Sequence, residues 1–260
     1  MSISLYSAAS GMEAQQTNLN VISNNIANVS TTGFKKSKVE FQDMFYQVPK
    51  SVGADSGGNI LPTGIQVGTG TQVVSTSKVF TQGQVSQTGE QLDVAIVGDG
   101  FFRVTGPDNE TLYTRDGAFK VGPTGEVTNS QGMTAIDFAA PPAGTTKVVI
   151  NDTGGVTYLA DDSDVLGRGQ LQTARFRNSS GLLALGGNLF RETDASGAPT
   201  VGNPGADGSG TLQQGYLETS NVNIVEEMVN MILAQRAYEI NSKSIQTSDS
   251  MMQQVAQLKR

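Results

Sequence analysis

The sequence predicts an α+β protein with a long helix at each end, the two packed together in coiled-coil fashion, and a mainly antiparallel β domain inserted between them. Three observations predict it. Apolar residues recur every seven positions near the N-terminus, they do so again near the C-terminus, and between these segments the apolar period falls to two.

In the first thirty residues the sevenfold repeat is Leu5, Met12, Leu19 and Ile26, with Ala8, Ile22 and Val29 three residues behind Leu5, Leu19 and Ile26. That is an a/d seam, interrupted once by Gln15, of a helix that packs along another helix. The spacing predicts a helix from about Ser4 to Val29, stopped by Ser30, Thr31, Thr32 and Gly33, because glycine past a helix end takes the left-handed cap conformation. Its polar face carries Gln15, Gln16, Asn18, Asn20, Asn24, Asn25 and Asn28 in place of charged residues. Neutral amides donate and accept at once, which suits a helix surrounded by copies of itself, where repeated like charges repel.

In the C-terminal segment Ile224, Met231, Tyr238, Ile245 and Met252 stand at sevens, and Val225, Val229, Ile232 and Leu233 widen the apolar face in the first half. Thr219, Ser220 and Asn221 are candidate N-caps, followed by Glu226 and Glu227 near the positive end of the helix dipole. The two sevenfold series, Leu5, Met12, Leu19, Ile22, Ile26 and Val29 with Ile224, Met231, Tyr238, Ile245 and Met252, form the candidate self-assembly interface.

Between the helices, Leu92, Val94 and Ile96 alternate, Phe102 and Val104 follow, and 147–150 and 170–176 read as further short strands. Turns at 106–109, 116–117, 122–125 and 151–155 separate them. The expected division is 1–33 for the N-terminal helix, 34–89 for an extended connector, 90–215 for the β-rich domain and 216–260 for the C-terminal helix. Within the connector, 47–70 reads as a long Gly/Pro-rich loop, and within the β domain 194–210 reads as a surface connection.

Composition narrows the function. The 260 residues contain neither Cys nor His, so thiolate chemistry, disulfides, the usual zinc sets and the commonest general base are excluded. A net charge of -7 leaves no basic field for nucleic acid or anionic lipid. No segment has the roughly 18 apolar residues of a membrane helix, and Met1 to Phe34 lacks the basic start of a cleavable signal peptide. Gly98-Asp99-Gly100 is followed by two Phe and a strand, so it reads as a tight turn and not a nucleotide loop. Asp161, Asp162 and Asp164 lack the Gly and terminal Glu of a calcium loop and read as a solvated acidic turn. Lys35, Lys36 and Lys38 read as an ordinary solvated basic loop. The carboxylates Asp99, Glu110, Asp116 and Glu126 sit in turn contexts and form no recognisable acid/base pair. No enzyme activity, cofactor, metal, nucleic acid or small-molecule substrate is expected.

With both ends described, a resemblance becomes visible. Ala27 to Lys35 (ANVSTTGFK), Asp93 to Val104 (DVAIVGDGFFRV), Tyr113 to Phe119 (YTRDGAF) and above all Gly215 to Lys243 resemble, in order, the bacterial flagellar axial proteins of the rod and hook family. The motif residues are Ala27, Asn28, Thr31, Gly33, Phe34 and Lys35. The resemblance implies a structural subunit of the distal rod that polymerises into a straight hollow drive shaft around the export channel. Implied partners are further copies of the chain, the proximal rod proteins, the hook protein, the P-ring and L-ring bushing proteins and the flagellar type III export apparatus. The implied location is the basal body, reached by export to the periplasm without a cleaved signal peptide. In this family the segment at 47–70 is associated with straightness of the rod. A proximal rod or short hook-type subunit shares both ends, and a monomeric secreted binding module is the alternative from another class.

Overall fold

The structure, a computed structural model, describes residues 3–50, 55–56, 59–60, 63–161, 164–206 and 208–258. The chain divides into two compact units. The helical unit comprises Met1–Ile26, Ser37–Ser77 and Asn223–Arg260, and the β unit comprises Ala27–Lys36 and Lys78–Val222.

In the helical unit, α1 spans Ile3–Ala27 and α2 spans Ile224–Leu258. At about 1.5 Å per residue they are roughly 37 and 52 Å long. Helix α2 is capped by Asn223, not by the expected Thr219, Ser220 or Asn221: its Oδ1 accepts the amides of Val225 at 3.1 Å and Glu226 at 3.4 Å. The expected caps are engaged elsewhere: Thr219 Oγ1 donates to the Gln84 carbonyl, Ser220 Oγ accepts the Val222 amide, and the Asn221 side chain bonds the Lys36 amide and the Val79 carbonyl, just past the strand Tyr216–Glu218 that pairs antiparallel with Val85–Gln87. Strand Ser37–Asp43 pairs with Thr71–Lys78, and Tyr46–Lys50 pairs antiparallel with Ile65–Gly68. Within the predicted loop at 47–70, the two ends are thus extended ladder and Asp55–Ser56 pairs antiparallel with Asn59–Ile60; residues 51–54, 57–58 and 61–62 lie outside the described residues.

The β unit is assembled from short antiparallel pairs. Leu183–Gly186, Leu189–Arg191, Thr111–Thr114 and Phe102–Thr105 form a four-stranded sheet in that spatial order. Lys147–Ile150, Gly155–Leu159 and Val165–Gln170 form a meander. Val94–Val97 pairs with Thr211–Gln214 more than a hundred residues away. The segment 194–210 is not only a connection: Thr200–Gly202 is a strand paired with Thr173–Arg175. Two apolar clusters fill the unit. One gathers Val94, Ile96, Val104, Leu112, Val127 and Val156. The other is aromatic, with Phe80, Phe101, Tyr113, Phe176 and Phe190 in edge-to-face contacts at centroid distances of 4.7 to 6.0 Å.

Candidate functional site

Two features stand out, one in each unit. In the helical unit, α1 and α2 run antiparallel. Asn25 meets Glu227, Nδ2 donating to Oε2 at 3.2 Å, and a Cβ on Gly11 would stand 2.8 Å from Nδ2 of Asn241. Asn25 and Gly11 are fourteen residues apart, as are Asn241 and Glu227, so the two approaches agree with one antiparallel alignment of the helices. Gly11 allows this close approach because it has no side chain to stand between the helices.

The inward side of α2 is mixed: Glu227, Ala234 and Ser248 are its buried residues, with Met231, Asn241 and Ile245 half-buried. Its opposite side is exposed, apolar over the first half of the helix and interrupted further on by the exposed Arg236–Glu239 ion pair. Val225 is 71% and Leu233 62% exposed, and Met228, Val229, Ile232 and Ile240 are also more than half open. Among the predicted interface residues, Leu5, Met12, Leu19, Ile26, Val29, Met231 and Ile245 are half-buried, while Ile224, Tyr238 and Met252 are exposed. Ile22 is only 4% exposed in the single chain, so its burial does not wait on a neighbouring copy. Asn25 departs from the expected polar outer face and is buried. Its side chain exchanges two 2.9 Å hydrogen bonds with the Ser37 backbone, as a strand neighbour would, besides the bond to Glu227.

The second feature surrounds the motif Ala27 to Lys35. The expectation of a solvated basic loop is corrected at Lys35, which is 1% exposed. Its Nζ donates to Glu218 Oε1 at 2.6 Å and to the Thr81 carbonyl at 2.8 Å. Glu218 Oε2 faces Arg115 Nη1 at 3.8 Å, and Arg115 Nη2 donates to the Gly98 carbonyl at 2.6 Å. A buried carboxylate between two cations offsets charges that burial alone would expel. Burial lowers the pKa of both Lys35 and Arg115, against the opposing pull of Glu218.

Gly33 adopts φ +67°, and a Cβ there would lie 2.7 Å from the Asp116 amide nitrogen, so this position requires glycine twice over. Its amide donates to the Glu218 carbonyl at 2.8 Å. Thr32 Oγ1 donates to Asp116 Oδ1 at 3.1 Å, Asn188 Nδ2 donates to the Thr32 carbonyl at 2.7 Å, and Phe34 is buried with the Lys78 ammonium over its ring. Thr31 donates back to Asn28, while Ala27 ends α1 and is exposed. The motif is therefore a structural knot tying residues 31–36 to 113–118 and 216–221 inside one unit. A lysine two residues after a Thr-Thr-Gly turn gave no sign of burial, because its partner lies 183 residues away.

Among the described residues no three carboxylates gather as a metal site, and Asp162 lies outside those residues. No described helix is long and apolar enough to cross a membrane.

Comparison with known proteins places this arrangement of terminal helices, exposed apolar stripe and knotted motif among the flagellar axial proteins. Residues 5–35 match the flagella basal body rod protein family, 95–158 the flagellar hook protein FlgE/F/G D1 domain, and 213–258 the flagellar basal body rod FlgEFG protein C-terminal family. The chain is 48% identical over 257 residues to the flagellar basal-body rod protein FlgG of Buchnera aphidicola subsp. Acyrthosiphon pisum, covering 98% of this chain and 99% of the relative. It is 47% identical to FlgG of Borreliella burgdorferi, covering 98% of each chain, and 39% identical to FlgG of Bacillus subtilis, covering 99% of each. The chain belongs to the FlgG family of flagellar basal-body rod proteins, a structural component of the basal body.

Proposed function

We propose that this chain is the subunit of the distal rod, polymerising into a straight hollow shaft that transmits torque from motor to hook and surrounds the export channel. The observation that carries the reading is the exposed apolar stripe on the first half of α2, from Val225 to Leu233, on the side of the helix away from the residues that pack inward. A helix that is apolar outward as well as packed inward is built to be surrounded, and in a homopolymer the surrounding helices are copies of itself. In this reading α1 and α2 form the inner assembly layer as a coiled coil and the β unit an outer body. The neighbours are the proximal rod, the hook and the P-ring and L-ring bushings, and the subunit arrives through the flagellar type III export apparatus. No step of this function is chemical. Torque is carried by many repeated contacts, each modest, whose sum resists torsion. Electron microscopy of the concentrated protein tests the reading. Straight tubes are expected; curved tubes would indicate a hook-type subunit, and no polymer at any concentration would remove the assembly claim.

A further inference from the structure

The chain passes between the helical and β units at four places, after residues 26, 36, 77 and 222. Asn221 gathers three of them. Its Oδ1 accepts the Lys36 amide at 2.8 Å. Its Nδ2 donates to the Val79 carbonyl at 2.8 Å and shares its second hydrogen between the Thr81 carbonyl at 3.1 Å and Thr81 Oγ1 at 3.0 Å. Its own amide reaches the Phe34 carbonyl at 3.4 Å. The Val79 amide donates to the Lys36 carbonyl at 2.9 Å, and the Lys78 ammonium to the Lys35 carbonyl at 3.0 Å. Directly along the chain, Lys35 Nζ binds both Thr81 and Glu218. All these partners belong to the β unit, yet each stands within four residues of a point where the chain leaves it.

We propose that Asn221 is a torsional clasp, a positioning residue that holds the three exits side by side so that a load passes along three strands acting as one. A single extended strand swivels at low cost about its φ and ψ angles. Three strands hydrogen-bonded to one another cannot each relax by its own rotation, so twist applied at one end is delivered to the other. Asparagine suits the position because one short side chain both accepts and donates, and reaches backbone on either side. The mechanical part of this inference rests on the proposed rod function; the clasp itself does not.

The test uses the full-length chain with Asn221→Ala and, as a control, Asn188→Gly. The control removes a comparable side-chain bond, to the Thr32 carbonyl, and keeps the positive φ of that position. In Asn221→Ala, amide exchange at Lys36 and Val79 should rise together by about ten-fold or more, with Phe102–Thr105 unchanged; Asn188→Gly should leave Lys36 and Val79 protected. In motile cells carrying the variant as sole copy, Asn221→Ala should give normal flagellar number with swimming speed that falls faster than wild type as viscosity rises, and Asn188→Gly should not. Unchanged protection at Lys36 and Val79 overturns the clasp. Freed amides with wild-type swimming at every viscosity, or loss of flagella altogether, overturn its torsional role. Failure of the wild-type chain to build rods removes the functional reading instead, and leaves the exchange result to decide the clasp.

Discussion

Lys35 has no exposed side-chain surface, and such a lysine is tolerated only while its charge is matched, here by Glu218 and the Thr81 carbonyl. Lys35→Met should therefore destabilise the β unit by about 3–5 kcal/mol, since it leaves the buried Glu218 to Arg115 alone. The double variant Lys35→Met, Glu218→Met should lose less than the two single variants together, which urea unfolding of the three would show; additive losses would mean that the pair is not energetically coupled. Asp116 behaves in the opposite sense. Burial raises its pKa above the ordinary 3.8, although bonds from the Ala118 amide and Thr32 act to lower it. Its folded form holds the proton more tightly than the unfolded chain, so the cost of the ionised carboxylate is absent at low pH and appears as pH rises through the carboxylate range. Asp116→Asn keeps an acceptor for Thr32 and Ala118 without the charge. It should gain stability over wild type at pH 7 and lose that advantage towards pH 4; a difference constant with pH would refute the assignment.

In α2 the two faces differ, and in the proposed reading one packs inward while the other meets neighbouring subunits. The buried residues of the inward face are Glu227, Ala234 and Ser248, and the helices approach at Asn25 with Glu227 and at Gly11 beside Asn241. The outward face holds Val225, Val229, Ile232 and Leu233. Leu233→Asp should leave the soluble chain's helix content unchanged while raising the critical concentration for polymerisation by roughly ten- to a hundred-fold or more, from the lost apolar burial of about 1.5–3 kcal/mol per added subunit. Ile22→Asp should act earlier, lowering helix content in the soluble chain, because Ile22 is already buried there. Circular dichroism separates the two. Equal helix content in both variants would show that Ile22 is not needed for the packing of α1.

Across the whole molecule, the β unit is closed by the chain's late residues. Thr211–Gln214 completes the pairing of Val94–Val97, Tyr216–Glu218 completes that of Val85–Gln87, and Glu218 completes the buried ion cluster. Contacts of such long sequence separation form late and slowly, because loop closure precedes their reward. A fragment of residues 27–222 should therefore unfold in one cooperative transition, whereas residues 27–210 should show none. A cooperative transition in the shorter fragment would mean that closure by 211–222 is dispensable.

The sequence by itself determined the α+β class, the two long helices and most turns of the β unit, because these follow from local periodicity and from Gly, Pro, Asn and Asp chemistry. Asn109, for example, takes the positive φ expected within its predicted turn. The family was legible as well, in Ala27 to Lys35 and Gly215 to Lys243. Other features needed the folded chain. The sevenfold repeats gave the stripes of α2 but not which side turns inward, since Val225 and Leu233 look as fit for a core as Met231. Asn223 displaced the expected caps because Thr219 and Asn221 are held by the Gln84 and Val79 carbonyls across the β unit. The same logic made Lys35 a buried charge and Asn221 the tie between three segments. Each depends on a partner roughly 130 to 185 residues away, and whether a polar side chain is solvated or matched in the interior is decided by what folding brings beside it.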